Sequence, residues 1–165
     1  MTPRQTEVRV RPMTAADILW AKALADSTPE APHWPSAAYE KALDPASYPR
    51  RVAMVAETPA PASGLPSPAA RSGFAIASLV PPQAELEAIV VATASRRLGI
   101  ARTLFERLTS SLKAANITEV TLEVRASNMP ALAFYHSIGF RESGRRVRYY
   151  VDPVEDAVLM VRGTQ

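Results

Sequence analysis

The stretch that most constrains this 165-residue chain is a helix-spaced run followed directly by a strand-spaced one. Ile100, Leu104, Phe105, Leu108 and Leu112 recur at intervals of mostly three and four, which predicts an amphipathic helix over about Gly99–Ala115. From Thr118 to Arg125 the period changes to two. Val120, Leu122 and Val124 fall on one side of a strand, and Thr121, Glu123 and Arg125 on the other. An apolar strand over Glu85–Val91 precedes the helix, so the three elements form a strand-helix-strand crossover, which implies parallel pairing.

The rest of the chain adds antiparallel elements around that crossover. Val8–Arg11 alternates as a short strand, and Thr14 with Asp17 reads as a capping box that opens a helix to about Ala25. Pro29, Pro32 and Pro35 break the chain before a second helix from Ser36 to Leu43. Arg51–Glu57 and Gly73–Val80 are strands, the second paired with Glu85–Val91 around Pro81 and Pro82. A helix over Met129–Ile138 tolerates Pro130 in its first turn and stops at Gly139. Strands at Phe140–Tyr150 and Val154–Val161 follow. The expected fold class is α/β (α+β): a mixed, mostly antiparallel sheet of about seven strands with about four helices. Length favours a single domain over 1–165, with the proline- and alanine-rich residues 58–72 as an exposed loop.

Composition narrows the chemistry. The chain has no cysteine, which removes disulfides, thiolate metal sites and a cysteine nucleophile, and no metal site is expected. Its apolar stretches are too short to span a bilayer, and Met1–Pro12 lacks the apolar centre of a signal peptide, so a cytoplasmic address and no membrane partner are expected. A net charge of +3 without a tight basic stripe reads as a solvated surface, giving no case for direct nucleic-acid binding.

Between the strand ending at Val91 and the long helix lies Arg96-Arg97-Leu98-Gly99-Ile100-Ala101. A helix N-terminus offers unpaired N–H donors and partial positive charge to a pyrophosphate. Gly99 lets the backbone approach, Ala101 stays small, and Arg96, Arg97 and Arg102 add full charges. These residues match the R/Q-x-x-G-x-G/A pattern of the GCN5-related N-acetyltransferase (GNAT) superfamily. Leu122–Asn128 (L-E-V-R-A-S-N), Ala131–Tyr135, Ser137–Phe140, the Tyr149-Tyr150 pair and Glu155–Ala157 follow in family order. Together they resemble the RimI-type protein N-terminal acetyltransferases over about Glu85–Met160.

The resemblance implies an enzyme that moves acetyl from acetyl-CoA to the α-amine of a protein or peptide N-terminus, ribosomal protein S18 being the family's substrate. It implies direct attack in a ternary complex, by a monomer or weak homodimer. The coenzyme would lie along Ile89, Val90 and Val91, over the turn from Arg96 to Arg102 with Leu98 and Ile100, and against Asn128 and Tyr135. Two strands splayed apart near Val91 would admit the pantetheine, and a backbone N–H there would meet the thioester oxygen. Glu123 takes the place of the family's general base. Glu85 competes for that role by its spacing from Gly99, Glu87 lies two residues on, and a mechanism without a dedicated base stays open. Tyr135 is the implied acid toward the leaving thiolate. Trp34, Glu85, Tyr149 and Tyr150 are the implied acceptor contacts, although adjacent strand tyrosines should face opposite ways, leaving at most one toward a peptide. Glu155 and Asp156 would orient this clamp or hold the last hairpin. The residues leave two other readings open: a small-molecule amine as acceptor, and a non-catalytic acyl-CoA-binding protein. Three departures from the family keep the first of these alive: the long loop at 58–72, Ala92-Thr93 in place of Asp-Pro, and Trp34-Pro35-Ser36 where the family carries a Pro-Trp-Ser-like segment.

Overall fold

The computed structural model describes residues 7–59 and 69–165. In chain order the elements are β1 (Arg9–Pro12), α1 (Ile18–Asp26), α2 (Ser36–Leu43), β2 (Arg50–Thr58), β3 (Ala70–Val80) and β4 (Gln83–Val91). They continue as α3 (Ile100–Ala114), β5 (Glu119–Arg125), α4 (Met129–Ser137), β6 (Arg141–Tyr150) and β7 (Glu155–Gly163). One seven-stranded sheet runs in the order β1-β2-β3-β4-β5-β7-β6, and only the β4–β5 contact is parallel. The expected architecture of seven strands and four helices is therefore present.

Two apolar layers sandwich the sheet. On one face, Ile100, Leu104, Phe105, Leu108 and Leu112 of α3 are 0–1% exposed and pack with Val120, Leu122 and Val124 of β5. Burial of each such side chain contributes about 1.5–3 kcal/mol. α3 can lie this close because Gly73 of β3 has no side chain: a Cβ there would sit 2.8 Å from the Val90 carbonyl and 3.3 Å from Leu104. On the other face, Tyr39 of α2 and Ala21 and Ala25 of α1 cover Val55, Phe74, Ile76, Ala88 and Val90.

Three local expectations shift. The helix expected from Thr14 begins as a 3₁₀ turn at Ala15–Asp17, with the Thr14 N–H donating to Asp17 Oδ2 at 2.9 Å. The loop expected over 58–72 is shorter, because Thr58 pairs with Ala70, Glu57 with Arg71, and the Ser72 hydroxyl donates to the Ala56 carbonyl at 3.1 Å. The centre of that loop, 60–68, lies outside the described residues. The positive charge is also less diffuse than composition suggests, since four arginines fall on the single strand β6 at the sheet margin.

Candidate active site

The site begins where two strands part. β4 and β5 pair at Gln83–Glu119, Ala84–Val120 and Glu85–Thr121, and at no later rung, although β4 continues to Val91 and β5 to Arg125. Beyond Glu85 the side of β4 facing β5 therefore offers backbone groups with no strand partner, while its other side stays paired with β3. A register shift between Ile76 and Ala77 of β3 leaves Glu87 as an extra residue in β4. That bulge puts Ala84 and Leu86 on the α3 face but Ala88 and Val90 on the α1–α2 face, so Ile89 and Val91 turn toward the α3 side.

A cavity of about 600 Å³ fills the fork. Its walls bring together Ile89, Val90, Val91, Arg96, Ala101, Asn128, Tyr135, Glu123 and Tyr150, all singled out from sequence. Arg97, Leu98, Gly99, Ile100 and Arg102 do not line it. Ile100 is 1% exposed, so its side chain belongs to the core and only its backbone remains for a ligand. Gly99 caps α3 at φ 75°, a left-handed conformation that glycine adopts without strain, and open space surrounds the position a Cβ would take. The first helical bond noted there is from the Thr103 N–H to the Gly99 carbonyl at 3.0 Å, which leaves the preceding N–H groups of α3 for an anion. Asn128 caps α4, its Oδ1 accepting from the Ala131 N–H at 3.2 Å, while also lining the cavity, so capping is compatible with the coenzyme contact expected of it.

The carboxylates converge on one side of the fork. Glu123 lies two residues past the last β4–β5 rung, 20% exposed, and accepts from Arg146 Nε at 2.9 Å. Glu85 is on that rung; burial first, then the charges of Glu123 and Glu87, raise its carboxyl above the ordinary value. Glu85 is outside the cavity wall, and Glu87 is inside it but bound to Arg51 at 2.7 Å. Tyr135 packs between Phe134 and Phe140 at ring separations of 5.4 and 5.6 Å. Burial, with a lesser contribution from Tyr150, pushes its phenol well above the tyrosine range. The hydroxyl keeps its proton at neutral pH and can serve as a donor to a group in the cavity.

Two acceptor-side expectations need correction. Trp34 packs on Tyr39 at 5.5 Å in the α1–α2 core and does not line the cavity. Tyr149 and Tyr150 do not point to opposite faces: their rings meet edge-on at 5.2 Å, and Glu123 acts on both phenols. The reason is local. The β6–β7 register shifts between Arg146 and Tyr150, and Arg148 takes φ 51°, which breaks the two-residue alternation. Arg125 lies 4.3 Å over the Tyr150 ring and pairs with Glu155, whose carboxylate also accepts from the Ser127 N–H. Asp156 accepts from the Arg148 N–H at 2.9 Å within the hairpin, whereas Glu155 ties the hairpin to β5 and the turn before α4.

From the α1–α2 loop, sequence reasoning took only Trp34 to the site. Its neighbours Thr28, Glu30 and His33 are the loop residues with polar side chains that line the cavity. The prolines between two short helices were the available sign, since they demand an exposed, irregular segment. Among the described residues no group of side chains suits a metal ion, and no helix is long and apolar enough to cross a membrane.

Comparison with known proteins bears on the family and the fold. The family model for the acetyltransferase (GNAT) family matches residues 23–140. The [ribosomal protein bS18]-alanine N-acetyltransferase of Escherichia coli K12 is 41% identical over 91 residues, 54% of this chain and 62% of that protein. An N-alpha-acetyltransferase of Saccharolobus solfataricus is 45% identical over 75 residues, 45% of this chain and 44% of its own. These matches thus span about half of the curated relatives' length. The crystal structure of the ribosomal-protein-S18-alanine N-acetyltransferase from Escherichia coli superposes with a TM-score of 0.77 at 26% identity, over 96% of this chain and 95% of that one.

Proposed function

This chain belongs to the acetyltransferase (GNAT) family, and from that premise we propose that it transfers acetyl from acetyl-CoA to the N-terminal α-amine of a protein or peptide, by direct attack. The observation that carries the reading is the fork itself: a single cavity joins the open edge of β4 and the start of α3 to Glu123 and Tyr150. The likeness to N-terminal acetyltransferases supports the acceptor class, with the N-terminal alanine of a ribosomal protein as the first candidate.

The residues fit a coenzyme A thioester. Free N–H groups at the start of α3, the open space beside Gly99 and the guanidinium of Arg96 suit a pyrophosphate. Acetyl-CoA supplies the activated acyl group. The gap-facing N–H groups of β4 between Ile89 and Val91 are donors for the carbonyl oxygen. Glu123 accepts a proton from the amine, directly or through one water. An α-amine with a pKa near 7.7–8.0 needs little more at neutral pH. Glu85, with its raised carboxyl, supports Glu123 from the last rung. Tyr135 holds a hydrogen bond donor toward the sulfur and returns a proton to the leaving thiolate.

Initial rates on a peptide panel test this: free N-terminal Ala, Ser, Gly or Met peptides, N-blocked peptides with an internal lysine, and polyamines. Turnover confined to free N-termini is expected. Turnover of polyamines alone would keep the family chemistry and overturn the acceptor. Tyr135→Phe should lower kcat with little change in acetyl-CoA affinity; weaker binding at unchanged kcat would make Tyr135 a packing residue.

A further inference from the structure

β6 is unlike any other strand of the sheet. It is a margin strand, and Arg141–Tyr149 are all exposed. Its four arginines and one glutamate hold the whole of the chain's formal +3, so the remainder of the chain is balanced. Arg141, Arg145 and Arg148 form no ion pair among the described residues, and residues 1–6 and 60–68 contain no Asp or Glu. Charge on a margin strand is commonly a guard against edge-to-edge aggregation. A guard, however, would not be flanked by bare apolar side chains. Val147, Val151 and Val154 are 63–76% exposed, and Tyr149 is 50% exposed, within one hairpin.

The strand also leads out of the candidate active site. Arg146 touches Glu123 at 2.9 Å, Tyr150 forms cavity wall, and Arg145, then Arg141, continue outward along the unpaired edge. We propose that this edge receives the acceptor polypeptide downstream of its N-terminus, as an extended segment carrying carboxylates interspersed with apolar residues. The proposal rests on the N-terminal acetyltransferase reading and adds a specificity to it. Main-chain bonds to the open edge give general affinity, and Arg141, Arg145 and Arg148 choose acidic side chains. An extended chain rises about 3.3 Å per residue, so the carboxylates that matter fall from about the third residue onward. Valines bare to solvent have no use for a phosphate backbone, which favours a polypeptide over RNA.

The test uses three eight-residue peptides with one common N-terminal dipeptide, followed by Glu/Leu, Gln/Leu or Lys/Leu. Each is measured for acetylation and, with a fluorescent label, for binding by anisotropy. The acidic peptide should show a KM and a Kd about fivefold or more below those of the neutral peptide in low salt, with the advantage shrinking as salt rises. The double variant Arg141→Glu/Arg145→Glu should remove that advantage while leaving kcat for the neutral peptide unchanged, which also shows that it folds. Equal or better use of the lysine peptide, an unaltered acidic preference in the double variant, or displacement by short RNA in place of acidic peptide would each overturn the proposal. Binding of the acidic peptide that the double variant loses, with no acetylation of any peptide, would uphold the surface and sink the acetyltransferase reading instead.

Discussion

Asp17 and Glu123 are both carboxylates paired with arginine, yet the two regions treat them in opposite ways. Asp17 is 1% exposed and saturated. Arg11 donates to it through two nitrogens at 2.7 and 2.9 Å, Arg71 approaches at 2.8 Å, and the Thr14 N–H adds a bond at 2.9 Å. These donors, the Arg11 hydrogen bond foremost, hold its carboxyl far below the ordinary aspartate value. Glu123 has one ion-pair partner, the half-exposed Arg146, stands beside the Tyr149 phenol, and borders an open cavity. A carboxylate whose acceptor sites are all filled fastens β1, β3 and the start of α1 together. One with sites left over remains available to a substrate proton.

The largest effect should come from breaking the saturated site. Asp17→Ala leaves Arg11 and Arg71 without their shared anion, and a loss of about 3–5 kcal/mol in denaturant-measured stability is expected. Because the folded pKa of Asp17 is depressed, its contribution is complete above the unfolded value near 3.9 and falls away as pH drops below it. Acid unfolding of the wild type should therefore steepen below about pH 4, and Asp17→Asn should flatten that limb. An unchanged acid limb would mean that the cluster is not what fastens this corner.

Next in size is Glu123→Gln. At the unsaturated site the cost should appear in rate, about a hundredfold or more in kcat, with stability within about 0.5 kcal/mol of wild type. If Glu123→Gln instead unfolds readily and retains its rate, the contrast with Asp17 collapses and Glu85 becomes the better base. The smallest effect is expected for Arg146→Ala, which removes an exposed partner worth about 0.2–1 kcal/mol. It should lower kcat by less than Glu123→Gln does and barely move the melting temperature, whereas a kcat identical to wild type would show that the pair does not bear on Glu123.

The same contrast separates what is legible in sequence from what is not. The capping relation of Thr14 and Asp17 is a matter of three residues and reads directly from the chain. The arginines that complete the cluster come from six residues before Asp17 and fifty-four after it, and nothing local announces them. Near the cavity, the start of α3 and the Glu123 strand are contiguous stretches whose spacing carries their conformation. The opposite wall is assembled from the α1–α2 loop and the β6–β7 hairpin, where no period exists to be read.

By itself the sequence determined the element order, the parallel crossover through α3, and the turn at Gly99, because helix and strand periods and a left-handed glycine are properties of a few neighbouring residues. Only the tertiary structure decided that β4 and β5 part after Glu85–Thr121 and that Trp34 is spent on packing. It alone turned Tyr149 and Tyr150 to the same side, and it alone set the neighbouring arginines of β6 on an open sheet edge. Each of these depends on which distant strand lies alongside, and strand register is set by the packing of the whole sheet.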